Sequence, residues 1–141
     1  MRFWDSSAIV PLICAEEQSA RCRLWLREDT VVIVWSLAAT EVISALARKR
    51  REERLPQAAF AAAKRRLAKL EKAWNEVAEL DAVRARARRL LEVHALRAAD
   101  SLHLAAALVA FEERPASLEF VTFDGCLAAA AEKEGFTVLS A

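Results

Sequence analysis

Residues 104–111 read Leu-Ala-Ala-Ala-Leu-Val-Ala-Phe, with no polar side chain on any face. A helix that is apolar all round cannot lie on a surface and must be enclosed by other elements. The pattern predicts that this stretch belongs to a helix over Ala98–Glu112, buried in the centre of the domain. At 141 residues the chain is long enough for one such core and too short for two. Residues 1–141 are therefore expected to form a single domain.

The remaining elements alternate around that helix. Val31-Val32-Ile33-Val34-Trp35 is an unbroken β-branched and aromatic run, the mark of a strand covered on both faces. Phe3-Trp4, Glu76–Leu80, Glu119–Phe123 and Phe136–Leu139 read as further strands. Helices are expected over Ser6–Cys14, Glu17–Arg27, Leu37–Arg54, Pro56–Trp74, Asp81–Val93 and Cys126–Glu134, and Gly135 suits a left-handed helix end. Only 2 Gly and 3 Pro punctuate the chain, so helices should dominate. Strands alternating with helices predict an α/β fold with a central, mostly parallel sheet of about five strands, and a helical hairpin over residues 37–74. In the second arm of that hairpin Phe60, Ala63, Leu67, Leu70 and Trp74 form a narrow apolar seam. In the 81–93 helix Val83, Ala87, Leu90 and Leu91 are expected on one side.

Composition excludes several classes. Apolar residues make up 55% and charged residues 29%, unlike a disordered or solvating chain. Three cysteines, at 14, 22 and 126, cannot close a disulfide set and lack zinc-site spacing, so small buried thiols in a reducing compartment are expected. The longest apolar run, Ala8–Ala15, contains Pro11 and falls far short of the ~20 residues that span a bilayer. Asp5 before it and Glu16-Glu17 after it do not suit a signal peptide. A cytoplasmic protein without membrane contact is expected.

The carboxylates carry the chemistry. Of five Asp, Asp5 and Asp124 directly follow apolar strands, where open α/β sheets hold their ligands. Asp100 lies in the first turn of the buried helix, and Glu41 near the start of the 37–54 helix. Each has an ordinary reading too. Asp5 and Asp124 make good helix N-caps; Glu41 suits a solvated helix face; Asp100 has Arg97 in reach for an ion pair. As a set they repel one another once within ~4–6 Å, so a fold that gathers them needs positive charge among them. Oxygen donors without His or Cys suit Mg²⁺ or Mn²⁺ rather than zinc. His103, one turn from Asp100, reads as a packed histidine more than as a partner of the acids, and His94 as surface. No Gly-rich elbow accompanies a Ser or Cys nucleophile.

Four blocks together resemble the PIN-domain nucleases, and within them the VapC-type toxins of type II toxin–antitoxin systems. They are Phe3-Trp4-Asp5-Ser6-Ser7-Ala8, Thr40-Glu41-Val42, the segment Leu96 to Ala105 around Asp100, and Val121-Thr122-Phe123-Asp124 with Leu127-Ala128 and Ala130-Ala131. They stand in family order and span nearly the whole chain. The resemblance implies a Rossmann-like PIN fold and a Mg²⁺- or Mn²⁺-dependent endoribonuclease that hydrolyses RNA phosphodiester bonds with a metal-activated water. By position it makes Asp5, Glu41, Asp100 and Asp124 the catalytic acids, with Asp5, Asp100 and Asp124 on the metal. Ser6 and Thr122 become their polar supports. It also implies a cognate antitoxin and favours a homodimer. Pro11 departs from the family's pattern, in a first helix that often continues with a basic residue. A PIN nuclease for RNA or DNA processing, or a non-catalytic RNA-binding PIN module, is the alternative.

The small net charge of +1 conceals an asymmetry. Residues 48–72 hold ten basic residues against three acidic ones, and residues 84–97 five against one. Such a surface attracts a phosphate backbone, with Arg48, Lys49, Lys64, Arg65, Arg66 and Lys69 as candidate RNA contacts. The ordinary reading is a solvated helix face.

Overall fold

The structure, a computed structural model, describes residues 1–112 and 114–141. In chain order the elements are β1 (Arg2–Trp4), α1 (Ser6–Ile13), α2 (Ser19–Glu28), β2 (Val32–Trp35), α3 (Ala38–Arg51), α4 (Gln57–Glu71) and β3 (Asn75–Val77). They continue with α5 (Leu80–Val93), α6 (Ala98–Ala110), a 3₁₀ turn at Pro115–Ser117, β4 (Glu119–Val121), α7 (Gly125–Lys133) and β5 (Thr137–Leu139). The strands form one sheet in the order β3-β2-β1-β4-β5, and each neighbouring pair is parallel. From β1 the chain winds outward through β2 and β3; from β4 it winds the other way to β5. The winding reverses between β1 and β4, which opens a crevice at the C-terminal ends of those two strands.

Strand side chains alternate between two helical layers, as the period of two requires. Phe3, Ile33, Trp35 and Phe120 join one core with α5, α6 and α7. Trp4, Val32, Val34 and Val121 join the other with α1, α2, α3 and α4. The continuous β-branched run of β2 thus serves both faces at once. Helix α6 lies on β2 and β3 beneath α5 and α7, and Leu104 to Ala107 are wholly buried. The enclosure predicted for 104–111 weakens towards its end, since Val109 and Phe111 are half-buried and the helix stops at Ala110.

Several boundaries differ from those expected. Helix α4 ends at Glu71, three residues before Trp74, although the apolar spacing carries on to that tryptophan. Trp74 packs from outside the helix, and its indole N–H donates to Glu76 Oε1 at 3.1 Å. In α5 Val83, Ala87 and Leu90 are buried but Leu91 is 40% exposed. The 100° step from Leu90 carries Leu91 off the packed face. Among the thiols only Cys22 is buried, and burial pushes it up to about 11; Cys126 is exposed. Gly135 ends α7 with φ +98°, the left-handed position its sequence context suggests. Among the described residues no helix is long and apolar enough to cross a membrane.

Candidate active site

The crevice between β1 and β4 is lined with acid. Asp5 follows β1 directly and Asp124 comes three residues after β4, while Glu41 and Asp100 sit in the first turns of α3 and α6. All four line a single cleft of about 450 Å³, together with Ser6, Ser7, Ser44, Arg48 and Arg97. Helix N-termini favour negative charge, and each of these acids stands at one.

Asp5 is the most heavily supported of the four. It caps α1, accepting from the Ser7 amide at 3.2 Å, and is only 4% exposed. The Ser7 hydroxyl and the Thr122 hydroxyl, the latter at 2.9 Å, donate to its Oδ2. Ser6 Oγ lies 3.3 Å from Asp5 Oδ1 and 3.1 Å from Glu41 Oε2, bridging the two acids. Thr122 in turn accepts from the Asp124 amide at 3.1 Å, so one hydroxyl ties the segments after both strands. This bond exists because the chain leaves the sheet at Val121, two residues earlier than expected. Asp124 caps α7 through the Leu127 amide at 2.8 Å. The ordinary reading of Asp5 and Asp124 as N-caps therefore holds, and it coexists with their place in the cleft.

The positive charge that such a cluster needs comes from the chain itself. Arg97 Nε is 3.1 Å from Asp100 Oδ2, and its Nη2 is 3.5 Å from Asp124 Oδ2. The hydrogen bond to Asp100 and the charges of Asp100 and Asp124 hold this guanidinium firmly in its charged form. His103 is wholly buried, edge-on to Phe3, yet its Nε2 lies 2.9 Å from Glu41 Oε2 and 3.6 Å from Asp5 Oδ1. Burial pulls its pKa down, but the hydrogen bond to Glu41 and the charges of Asp5, Glu41 and Asp100 outweigh it and raise it above the usual range. It is thus both the packed histidine expected and a partner of the acids. His94 is not plain surface: its ring meets Glu134 Oε1 at 2.6 Å.

With this geometry in place, the family comparison decides the identity: the model of the PIN domain matches residues 2–133. The chain belongs to the PIN-domain family. Solved structures agree on the fold. PAE2754 from Pyrobaculum aerophilum is 22% identical with a TM-score of 0.66, covering 99% of this chain and 89% of its own. VapC20 of Mycobacterium tuberculosis, described as a sarcin-ricin loop cleaving toxin, is 19% identical with a TM-score of 0.67 over 96% of both chains. FitAcB from Neisseria gonorrhoeae is 18% identical with a TM-score of 0.67, covering 99% of this chain and 96% of its own. No curated protein matches.

The donors of this PIN domain fit a hard divalent cation by chemistry, since carboxylate oxygens line the cleft and the one imidazole nearby is engaged by Glu41. Among the described residues, no three such groups converge as a ready ligand set. Arg97 holds Asp100 and Asp124, and His103 faces Glu41 and Asp5. The basic candidates scatter. Arg48 lines the acidic cleft, Lys49 pairs with Glu16, and Arg66 donates to the Ile13 carbonyl at 3.0 Å. Lys64 and Arg65 line a separate shallow pocket beside Phe60 on α4, and Lys69 is exposed further along that helix. Sequence reasoning passed over Ser7, although it stands inside the opening block; its hydroxyl also accepts from the Phe123 amide at 2.9 Å.

Proposed function

We propose that this PIN domain, spanning residues 1–141, is a Mg²⁺- or Mn²⁺-dependent endoribonuclease and the toxin of a type II toxin–antitoxin pair, acting in the cytoplasm. The observation that carries the reading is the meeting of Asp5, Glu41, Asp100 and Asp124, from four separate elements, in one cleft at the winding reversal of the sheet. Asp5, Asp100 and Asp124 would hold the cation, which supplies Lewis acidity towards the scissile phosphodiester. Ser7 and Thr122 orient Asp5, while Ser6 and His103 keep Glu41 turned towards it. Arg48, at the edge of the same cleft, and Lys64, Arg65 and Lys69 on α4 provide cationic contacts for the RNA backbone. Lys49 and Arg66, already engaged, contribute less. The sarcin-ricin loop named for VapC20 makes structured RNA the first substrate class to try. A cognate antitoxin and a homodimer complete the proposed assembly.

The test is incubation of the purified chain with total RNA, with Mg²⁺ or Mn²⁺ and with EDTA, followed by mapping of the new ends. Discrete cuts that vanish in EDTA are expected; intact RNA under every condition overturns the reading. That second outcome favours a non-catalytic RNA-binding module, for which the engagement of the acids by Arg97 and His103 speaks. An antitoxin reading frame beside the gene separates a toxin from a processing nuclease.

Thr122→Val keeps the side chain's shape and removes the hydroxyl that ties Asp5 to the Asp124 amide. Loss of such an orienting bond is expected to slow cleavage by about 10- to 100-fold, at a stability cost of about 1–2 kcal/mol. Initial cleavage rates and urea unfolding of the same preparation check both.

A further inference from the structure

The Arg97 guanidinium reaches over the mouth of the cleft and joins acids from two different elements, Asp100 of α6 and the cap residue Asp124 of α7. The two sides of this contact differ. The Arg97 side chain is 79% exposed, while those of Asp100 and Asp124 are 11% and 29% exposed. The acids are fixed by their helices; the arginine stands on a long stem in solvent and can swing away without disturbing a packed group. Its single charge is screened by water, so the pairs contribute little stability. A divalent ion would bring twice the charge to the same oxygens.

We propose that Arg97 is a built-in counter-cation, occupying the divalent ion's place at Asp100 and Asp124, and that metal binding has to displace it. This rests on the metal-site reading above and adds its regulation. With Arg97 in place the acids are partly neutralised, so folding does not depend on metal. The metal then competes with an intramolecular partner, which lowers its apparent affinity by the fraction of molecules in the paired form. Arg97 is a positioning residue here, acting on the metal through the carboxylates it holds.

The test is Mn²⁺ binding to the full chain by isothermal titration calorimetry, without RNA and therefore independent of cleavage. Arg97→Gln, and Arg97→Met as a second uncharged variant that keeps the stem, are expected to bind Mn²⁺ about three- to tenfold more tightly than the wild type. Arg97→Lys keeps a charge and is expected to stay within about twofold of wild type. Equal or weaker binding by both uncharged variants overturns the proposal. Asp100→Asn, run alongside, separates the two readings. Wild-type affinity in that variant, or no Mn²⁺ binding by any protein, overturns the metal site itself. Lost binding there, with unchanged affinity in the Arg97 variants, overturns only the role of Arg97.

Discussion

Asp100→Asn is expected to lower RNA cleavage at least about a hundred- to thousandfold while the protein stays folded. The exchange keeps the side chain's size and removes one charge from the centre of the cleft, and lost electrostatic contacts at reacting phosphates or carbonyls cost this much. Stability should change little. Asp100 caps no helix, and the ion pair it would lose has its other partner, Arg97, 79% exposed. The measurement is single-turnover cleavage in Mg²⁺ beside thermal melts in EDTA. A variant that cuts at the wild-type rate places the chemistry elsewhere.

Phe120→Ala is expected to lower unfolding free energy by about 3–5 kcal/mol, a large part of the roughly 5–15 kcal/mol available to a domain. Phe120 is wholly buried on β4, stacked on Phe3 with centroids 5.2 Å apart and tilted against Phe136 at 5.5 Å. Removing the ring leaves a cavity in this core beside Phe3 and Phe136, which the close-packed surroundings fill only in part. Urea denaturation gives the number; a loss below about 1 kcal/mol would mean that the core there collapses freely.

Much of the architecture is legible in the chain because its signals are local. The β-branched run of β2, the apolar surround of α6 and the acids placed after Trp4 and Val121 each depend on a few adjacent residues. Arg97 with Asp100 is equally local, at a spacing of three on one helical turn. The ends of elements are harder to read with so few glycines and prolines. The seam of α4 extends to Trp74 because that residue is buried, though not by the helix. Contacts across the chain leave no local trace. His103 meets Glu41 from 62 positions away, and Thr122 meets Asp5 from 117. Without those distances His103 has its apolar neighbours and its place one turn from Asp100 to suggest a role, and neither points to Glu41. The cleft's acids and the pairing of Arg97 with Asp100 could be read from sequence, but not the second arm of Arg97 to Asp124 or the turn of His103 towards Glu41 and Asp5.

Asp5 and Asp124 each begin a helix as well as facing the cleft, and the two duties have an evolutionary consequence. A descendant that replaced either acid with an apolar residue would give up a helix start worth about 1 kcal/mol together with whatever the cleft does, whereas Asn or Ser would keep the start and lose only the charge. Asp100 and Glu41 carry no such second duty. A lineage drifting from enzyme to inert scaffold would pass freely through those two positions, while at the first and last it should keep a capping side chain, whether Asp, Asn, Ser or Thr.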